Sequence, residues 1–127
     1  MRKTLLLAVP PALYTLGIPN AFAAYSPPKR YRSTIVRNAR NYGALGNGSN
    51  DDTTAIQAAI NSLPAAGGTV VLTAGKYVID PVRNLRLRSN MCLELRSGAV
   101  LLAKRNNQER AYVLMVYKVK NVEIKGG

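Results

Sequence analysis

Apolar residues along this chain follow three successive patterns, and each predicts a different kind of segment. Thr4 to Ala24 carries no charge, with Arg2 and Lys3 ahead of it and no further charge until Lys29. Ala55, Ile56, Ala59, Ile60 and Leu63 then recur at helical spacing on one face, bounded by Asp51-Asp52 before and by Pro64 and Gly67-Gly68 after. This predicts one helix near 52–63, laid with its apolar stripe against another element. Asp51 or Asp52 is placed to accept hydrogen bonds from the free amides of its first turn. From Thr69 on, short β-prone runs appear at 69–72, 77–79, 85–87, 91–95, 100–102, 112–117 and 122–124, mostly separated by Gly, Asn, Pro or charge. Runs this short and regular exclude a helical bundle and predict an all-β architecture. An earlier strand is expected over 33–38, and the Gly- and Asn-dense stretch 41–50 is expected to be a turn-rich loop.

A longer repeat emerges from the spacing of apolar residues. Val71 to Leu93 is 22 positions, while Val78 to Leu101, Leu93 to Val116 and Leu101 to Ile124 are each 23. A solenoid rung recurs at such a period, because equivalent strands stack above one another. A β-sandwich has a similar density of strands, and the pattern alone is compatible with both.

The uncharged opening, its basic head and Ala21-Phe22-Ala23 have the order of a cleaved signal peptide over residues 1–23. A transmembrane anchor is the rival reading by length, but Pro10-Pro11 interrupts it and removes a backbone donor. Residues 24–40 read as a basic, proline-rich lead-in and first strand, and 41–127 as the main domain. The protein is therefore expected to be exported, periplasmic or extracellular, with no stable membrane span after cleavage. The formal charge of +12 falls to +10 when Arg2 and Lys3 leave with the signal. Such a balance favours polyanionic partners, and export makes nucleic acid the least apt of them.

Several linked motifs in Asn41 to Ala103 resemble the amino-terminal signature of the pectate-lyase-like superfamily. They are Tyr42-Gly43-Ala44, Asp51-Asp52-Thr53, Ala55-Ile56-Gln57, Gly67-Gly68-Thr69 and Ala74-Gly75-Lys76-Tyr77, in order and at matching spacing. The resemblance extends to glycoside hydrolase family 28 polygalacturonases, rhamnogalacturonases, related lyases and epimerases, and phage tailspikes. It implies a right-handed parallel β-helix, with the 52–63 helix capping about three rungs. Asn47 stands where that pattern has aspartate and Thr73 where it has proline. Asparagine keeps the acceptor and the turn preference without the charge.

Glycoside hydrolysis usually needs two carboxyl groups across the scissile bond. The chain offers Asp51, Asp52, Asp80, Glu94, Glu109 and Glu123. Asp51-Asp52 is an adjacent pair whose capping role already accounts for it, since neighbours at a helix start point in different directions. The polygalacturonase motifs Asn-Thr-Asp, Gly-His-Gly and Arg-Ile-Lys are absent, and the chain has no histidine. No catalytic, cofactor-binding or metal-ligating residue is assigned, and no cofactor is expected. Gly43, Gly46 and Gly48 lack the Gly-Lys-Ser/Thr ending of a phosphate loop. Cys92 is the only cysteine, which excludes an internal disulfide. It is out of phase with Met91, Leu93 and Leu95, so it is expected to face outward or lie at an unfinished surface as an incidental thiol.

Arg83, Arg86, Arg88 and Arg96 form a basic series that either meets an acidic glycan or is a solvated charged face. The resemblance implies a polygalacturonase-like protein active on pectin or another acidic polysaccharide, here without the catalytic motifs of later rungs and so expected to be an incomplete copy. The alternative is a non-catalytic glycan-binding or adhesion module on the same scaffold.

Overall fold

The computed structural model describes residues 32–126. The expected signal segment, and the lead-in as far as residue 31, lie outside the described residues. The elements run β1 (Val36–Asn38), a 3-10 turn (Ala39–Tyr42), β2 (Asn47–Asp51), α1 (Thr53–Asn61), β3 (Gly68–Leu72) and β4 (Gly75–Ile79). β5 (Leu85–Arg86), β6 (Met91–Leu95), β7 (Ala99–Ala103), β8 (Leu114–Met115) and β9 (Val122–Gly126) follow.

Strands that follow one another in sequence lie in different sheets, and every pairing is parallel. The sheets are β1-β3-β6-β9, β2-β4-β7 and β5-β8. The chain thus winds through three sheets per turn, as a right-handed parallel β-helix does, and two facing sheets of a sandwich are excluded. Apolar residues pile into internal columns: Val70 pairs with Leu93, Leu72 with Leu95, Tyr77 with Leu101 and Leu85 with Leu114. Val70, Leu72, Tyr77, Leu85 and Leu93 are all buried.

The fixed period expected from sequence does not hold. Val71 pairs with Glu94 and Val78 with Leu102, while Leu93 pairs with Ile124, 31 positions on. Leu101 lies in the last strand of its sheet, and Val116 belongs to no strand. A parallel stack constrains the strands and leaves the turns free in length. The stretch between β7 and β8, exposed over 104–110, lengthens the second coil accordingly. The one-residue error earlier has another cause: Val70, Val71 and Leu72 are all buried, so apolarity alone does not mark the inward parity.

The cap helix begins one residue after the expected start and ends two before the expected end. Ile56, Ala59, Ile60 and Leu63 are buried, and Ala55 packs against the same core. Full burial of a side chain such as Ile56 or Ile60 contributes about 1.5–3 kcal/mol. The helix lies on the 3-10 turn, β1 and β5, closing the first coil. The stretch read as a loop contains β2, which pairs with β4 through an irregular register from Asn47↔Lys76 to Asp51↔Val78. Its glycines at positive φ, Gly46 and Gly48, produce the irregularity that the sequence shows as turn character. Gly67 marks another close approach: at φ +81 it lies against the Asn90 carbonyl, where a Cβ has no room. Asn90 and its stacked neighbour Asn121 both turn left-handed, and Asn121 Nδ2 donates to Asn90 Oδ1 at 2.9 Å.

The two adjacent aspartates part company. Asp51 Oδ1 accepts from the Thr53 amide (3.0 Å) and hydroxyl (2.6 Å), capping the first turn. Asp52 makes no side-chain cap. It is wholly buried and accepts from the Leu45 amide (2.9 Å), the Gly46 amide (3.0 Å) and Asn50 Nδ2 (2.8 Å). Asp52 therefore folds the preceding loop back against the helix start. Asn47 Oδ1 accepts from the Ser49 and Asn50 amides, so the uncharged residue retains the turn-forming acceptor.

Replacing the wholly buried Asp52 by Ala leaves a polar void at its site and takes the acceptor from the part-buried Leu45 and Gly46 amides and from Asn50, and is expected to destabilise the fold by about 2–3 kcal/mol in denaturant unfolding. Asp51→Ala removes a partly exposed cap and should cost only about 1 kcal/mol. Equal costs would contradict this division of labour. Burial raises the Asp51 pKa, but the Thr53 hydroxyl and amide, with the Arg83 and Lys104 charges, outweigh it and hold the carboxyl below its ordinary value. A carboxyl lower in the folded state stabilises above its unfolded value and loses that contribution as pH falls through the folded one. The melting temperature should therefore decline below about pH 4, less steeply in Asp51→Asn than in the parent chain.

Candidate functional site

The basic series predicted from sequence separates into distinct environments. Arg83, at the turn after β4, donates to Thr54 Oγ1 (2.9 Å) and pairs with Asp51 (3.4 Å) and Asp80 (3.5 Å). Arg88 reaches the C-terminal end of α1, where Nη1 donates to the Leu63 carbonyl (2.5 Å), the Ile60 carbonyl (3.2 Å) and the Asn61 carbonyl (3.3 Å). A cation there satisfies carbonyls that have no partner within the helix. Arg96 lies after β6 and pairs with Glu94 at 3.2 Å. It is absent from the groove that gathers the other three.

That groove, of about 720 Å3, runs between the polar flank of α1 and the segment Val82–Arg88. Thr54, Gln57 and Asn61 form one wall, and Arg83, Arg86 and Arg88 the other. Gln57 ties the walls together. Its Oε1 accepts from the Arg86 amide (2.8 Å), while its Nε2 donates to the Arg86 carbonyl (3.1 Å) and to Asn61 Oδ1 (3.1 Å). One side-chain amide thus stands in for a neighbouring strand along β5. The sequence places Gln57 in a motif without revealing this, because its partner is 29 residues away.

Every carboxylate but Glu109 is committed to structure. Asp51 and Asp80 share Arg83, and Lys104 also approaches Asp51 (3.5 Å). Glu123 pairs with Arg32 at 2.8 Å, and Glu94 with Arg96. Glu109 stands in the exposed stretch before β8. Among the described residues no cluster of His, Cys, Asp and Glu has the makings of a metal site. Cys92 corrects the expectation of an outward or surface thiol: it is wholly buried. Its parity is outward, since Met91 and Leu93 belong to the core, and it is flanked in the sheet by Thr69 and Glu123. Burial and the Glu123 charge raise its pKa, which keeps it a thiol.

Gly43, Gly46 and Gly48 all take positive φ, and Gly46 lies against the Arg40 guanidinium and the Tyr77 ring. Arg40 fills that corner, donating to Thr73 Oγ1 (2.9 Å), the Leu45 carbonyl (2.6 Å) and the Ala74 carbonyl (2.6 Å), with its guanidinium 5.4 Å from the Tyr77 ring centroid. Thr73 thereby has a partner that a proline would not offer.

A family model for rhamnogalacturonase A/epimerase, pectate lyase-like proteins matches residues 36–121. The chain is 47% identical over 68 residues to mannuronan C5-epimerase AlgE3 of Azotobacter vinelandii, covering 53% of this chain and 4% of that protein. Its structure resembles the Yersinia enterocolitica family 28 exopolygalacturonase, with a TM-score of 0.64 and 28% identity, over 74% of this chain and 20% of the other. It also resembles PfbA, a surface adhesin of Streptococcus pneumoniae, with a TM-score of 0.55 and 34% identity, over 64% of this chain and 18% of the other. The chain spans a fifth or less of the length of each. With a family match running from β1 through β8, the chain belongs to the pectate lyase-like rhamnogalacturonase A/epimerase family of polysaccharide-active parallel β-helix proteins.

Proposed function

We propose that this protein is exported and binds an acidic polysaccharide of the polyuronate kind, as the amino-terminal coils of a pectin- or alginate-active β-helix. The observation that carries the reading is the groove beside α1, where three arginines face hydroxyl and amide side chains. Guanidinium groups match carboxylates in a planar fork, and amides and hydroxyls suit sugar hydroxyls. The names of the relatives support the same ligand class, since mannuronan and polygalacturonate are both polyuronates. Glycoside hydrolysis usually needs paired carboxylates, and those of the described coils, the exposed Glu109 apart, are held in ion pairs and hydrogen bonds. The resemblance to a pneumococcal adhesin favours a second reading, in which the coils bind without turning over the polymer.

Affinity electrophoresis of the full chain tests the reading. Its migration should be retarded in gels containing polygalacturonate or mannuronan and unchanged in neutral dextran, with retardation weakening as salt rises. Equal mobility in all three gels would overturn it. Release of new reducing or unsaturated ends from the retained polymer would favour the processing form, and retention without them the adhesive one.

A further inference from the structure

The geometry points to a uronate-binding subsite on the outer face of β5-β8, formed by Arg86, Met115, Tyr117 and Lys118, continuing from the groove beside α1. The groove shares Arg86 and Leu87 with a second hollow of about 490 Å3, whose remaining lining is Met115 and Tyr117. The two hollows thus meet at Arg86. Register explains the meeting: Arg86 pairs with Met115 across β5 and β8, and both side chains point away from the core that Leu85, Leu87 and Leu114 help to form. Tyr117, two residues beyond Met115, lines the same hollow.

Of the groove's three arginines, Arg86 alone keeps its guanidinium free. Arg83 is held by Thr54, Asp51 and Asp80, and Arg88 by the carbonyls at the end of α1. The Arg86 guanidinium has no hydrogen bond or ion pair among the described residues, although its backbone is clamped by Gln57. A cation on a fixed backbone with five unused donors is set to receive a carboxylate. Beside it, Tyr117 is 66% exposed, which leaves a large aromatic surface uncovered. Lys118 takes a left-handed backbone angle, φ 54, uncommon for a lysine, and its Nζ lies 5.3 Å from the Tyr117 ring centroid.

An aromatic surface that shares its hollow with one cation and has a second against its ring matches the chemistry of a uronosyl unit. The apolar C–H face of a pyranose ring packs on the tyrosine, while its carboxylate reaches Arg86 or Lys118. A neutral sugar has the first contact without the second, and a simple anion the second without the first. The assignment rests on the polyuronate reading above and locates it.

The test measures Kd for oligogalacturonate with the full chain and four single variants. Arg86→Ala and Tyr117→Ala should each weaken binding about tenfold, as expected for loss of a charge-assisted hydrogen bond or a stacked ring. Arg86→Lys should recover only part of the loss, because an ammonium lacks the fork. Arg96→Ala removes the same charge away from the groove, and Tyr112→Ala removes another exposed ring. Both should bind like the parent chain. Unchanged circular dichroism and melting temperature establish that each variant is folded. If Arg96→Ala weakens binding as much as Arg86→Ala, the interaction follows net charge and the subsite is overturned. If the parent chain binds and Arg86→Ala and Tyr117→Ala bind equally well, the subsite fails while the polyuronate reading stands. If the parent chain binds neither oligogalacturonate nor oligomannuronate, both fall.

Discussion

A coil stack built on parallel strands must close its first turn, and the rest of this structure depends on how that closure is made. Each later coil finds both its hydrogen-bond partners and its apolar column in the coil before it. The first has neither. Here α1 supplies the apolar half of the closure through Ile56, Ala59, Ile60 and Leu63. The polar half comes from single side chains that each satisfy several backbone groups. Asp52 accepts from two amides of the preceding loop, Arg40 binds two carbonyls, and Arg88 holds three at the helix end. Several of these bonds are part-buried, and there a backbone group left without a partner costs more than the bond contributes.

This closure also determines what the surface has left for binding. Charges that look interchangeable in the sequence have been divided by their neighbours. Arg83 is neutralised by two carboxylates, Arg88 is spent on helix carbonyls, and Arg96 lies elsewhere with Glu94. Arg86 remains, fixed at its backbone by Gln57 and open at its guanidinium. The groove is therefore a by-product of capping: the helix that seals the coil brings its polar flank against β5, and the space between them becomes a lined channel.

The carboxylates are distributed by the same principle. Asp51 and Asp52 are neighbours in sequence with opposite tasks, one capping α1 and the other folding back the preceding loop. Neither is free to act as an acid or base toward a sugar. That leaves the described coils with recognition chemistry and without a carboxyl pair, in keeping with a family whose members are much longer than this chain.

Much of the fold was legible in one dimension because its determinants are local. The helix over Thr53–Asn61 declares itself through a stripe at helical spacing, and β6 through an unbroken β-prone run bounded by turn residues. The linked motifs from Tyr42 to Tyr77 place both within a known architecture. The rung length was not legible, since turns such as 104–111 vary without disturbing the strands on either side. The parity of β3 was hidden by three consecutive buried residues, and the burial of Cys92 by sheet neighbours, Thr69 and Glu123, that its own strand does not encode. The pairing of Gln57 with Arg86, of Arg88 with the helix end and of Arg86 with Met115 and Tyr117 spans about 25 to 31 positions. By itself, then, the sequence determined where most strands lie, β2 excepted, which segment forms the cap, and through its linked motifs that the whole is a basic β-helix. Only the tertiary structure decided which arginine stays free, because a side chain's charge is local while the groups that cancel it are brought close by folding.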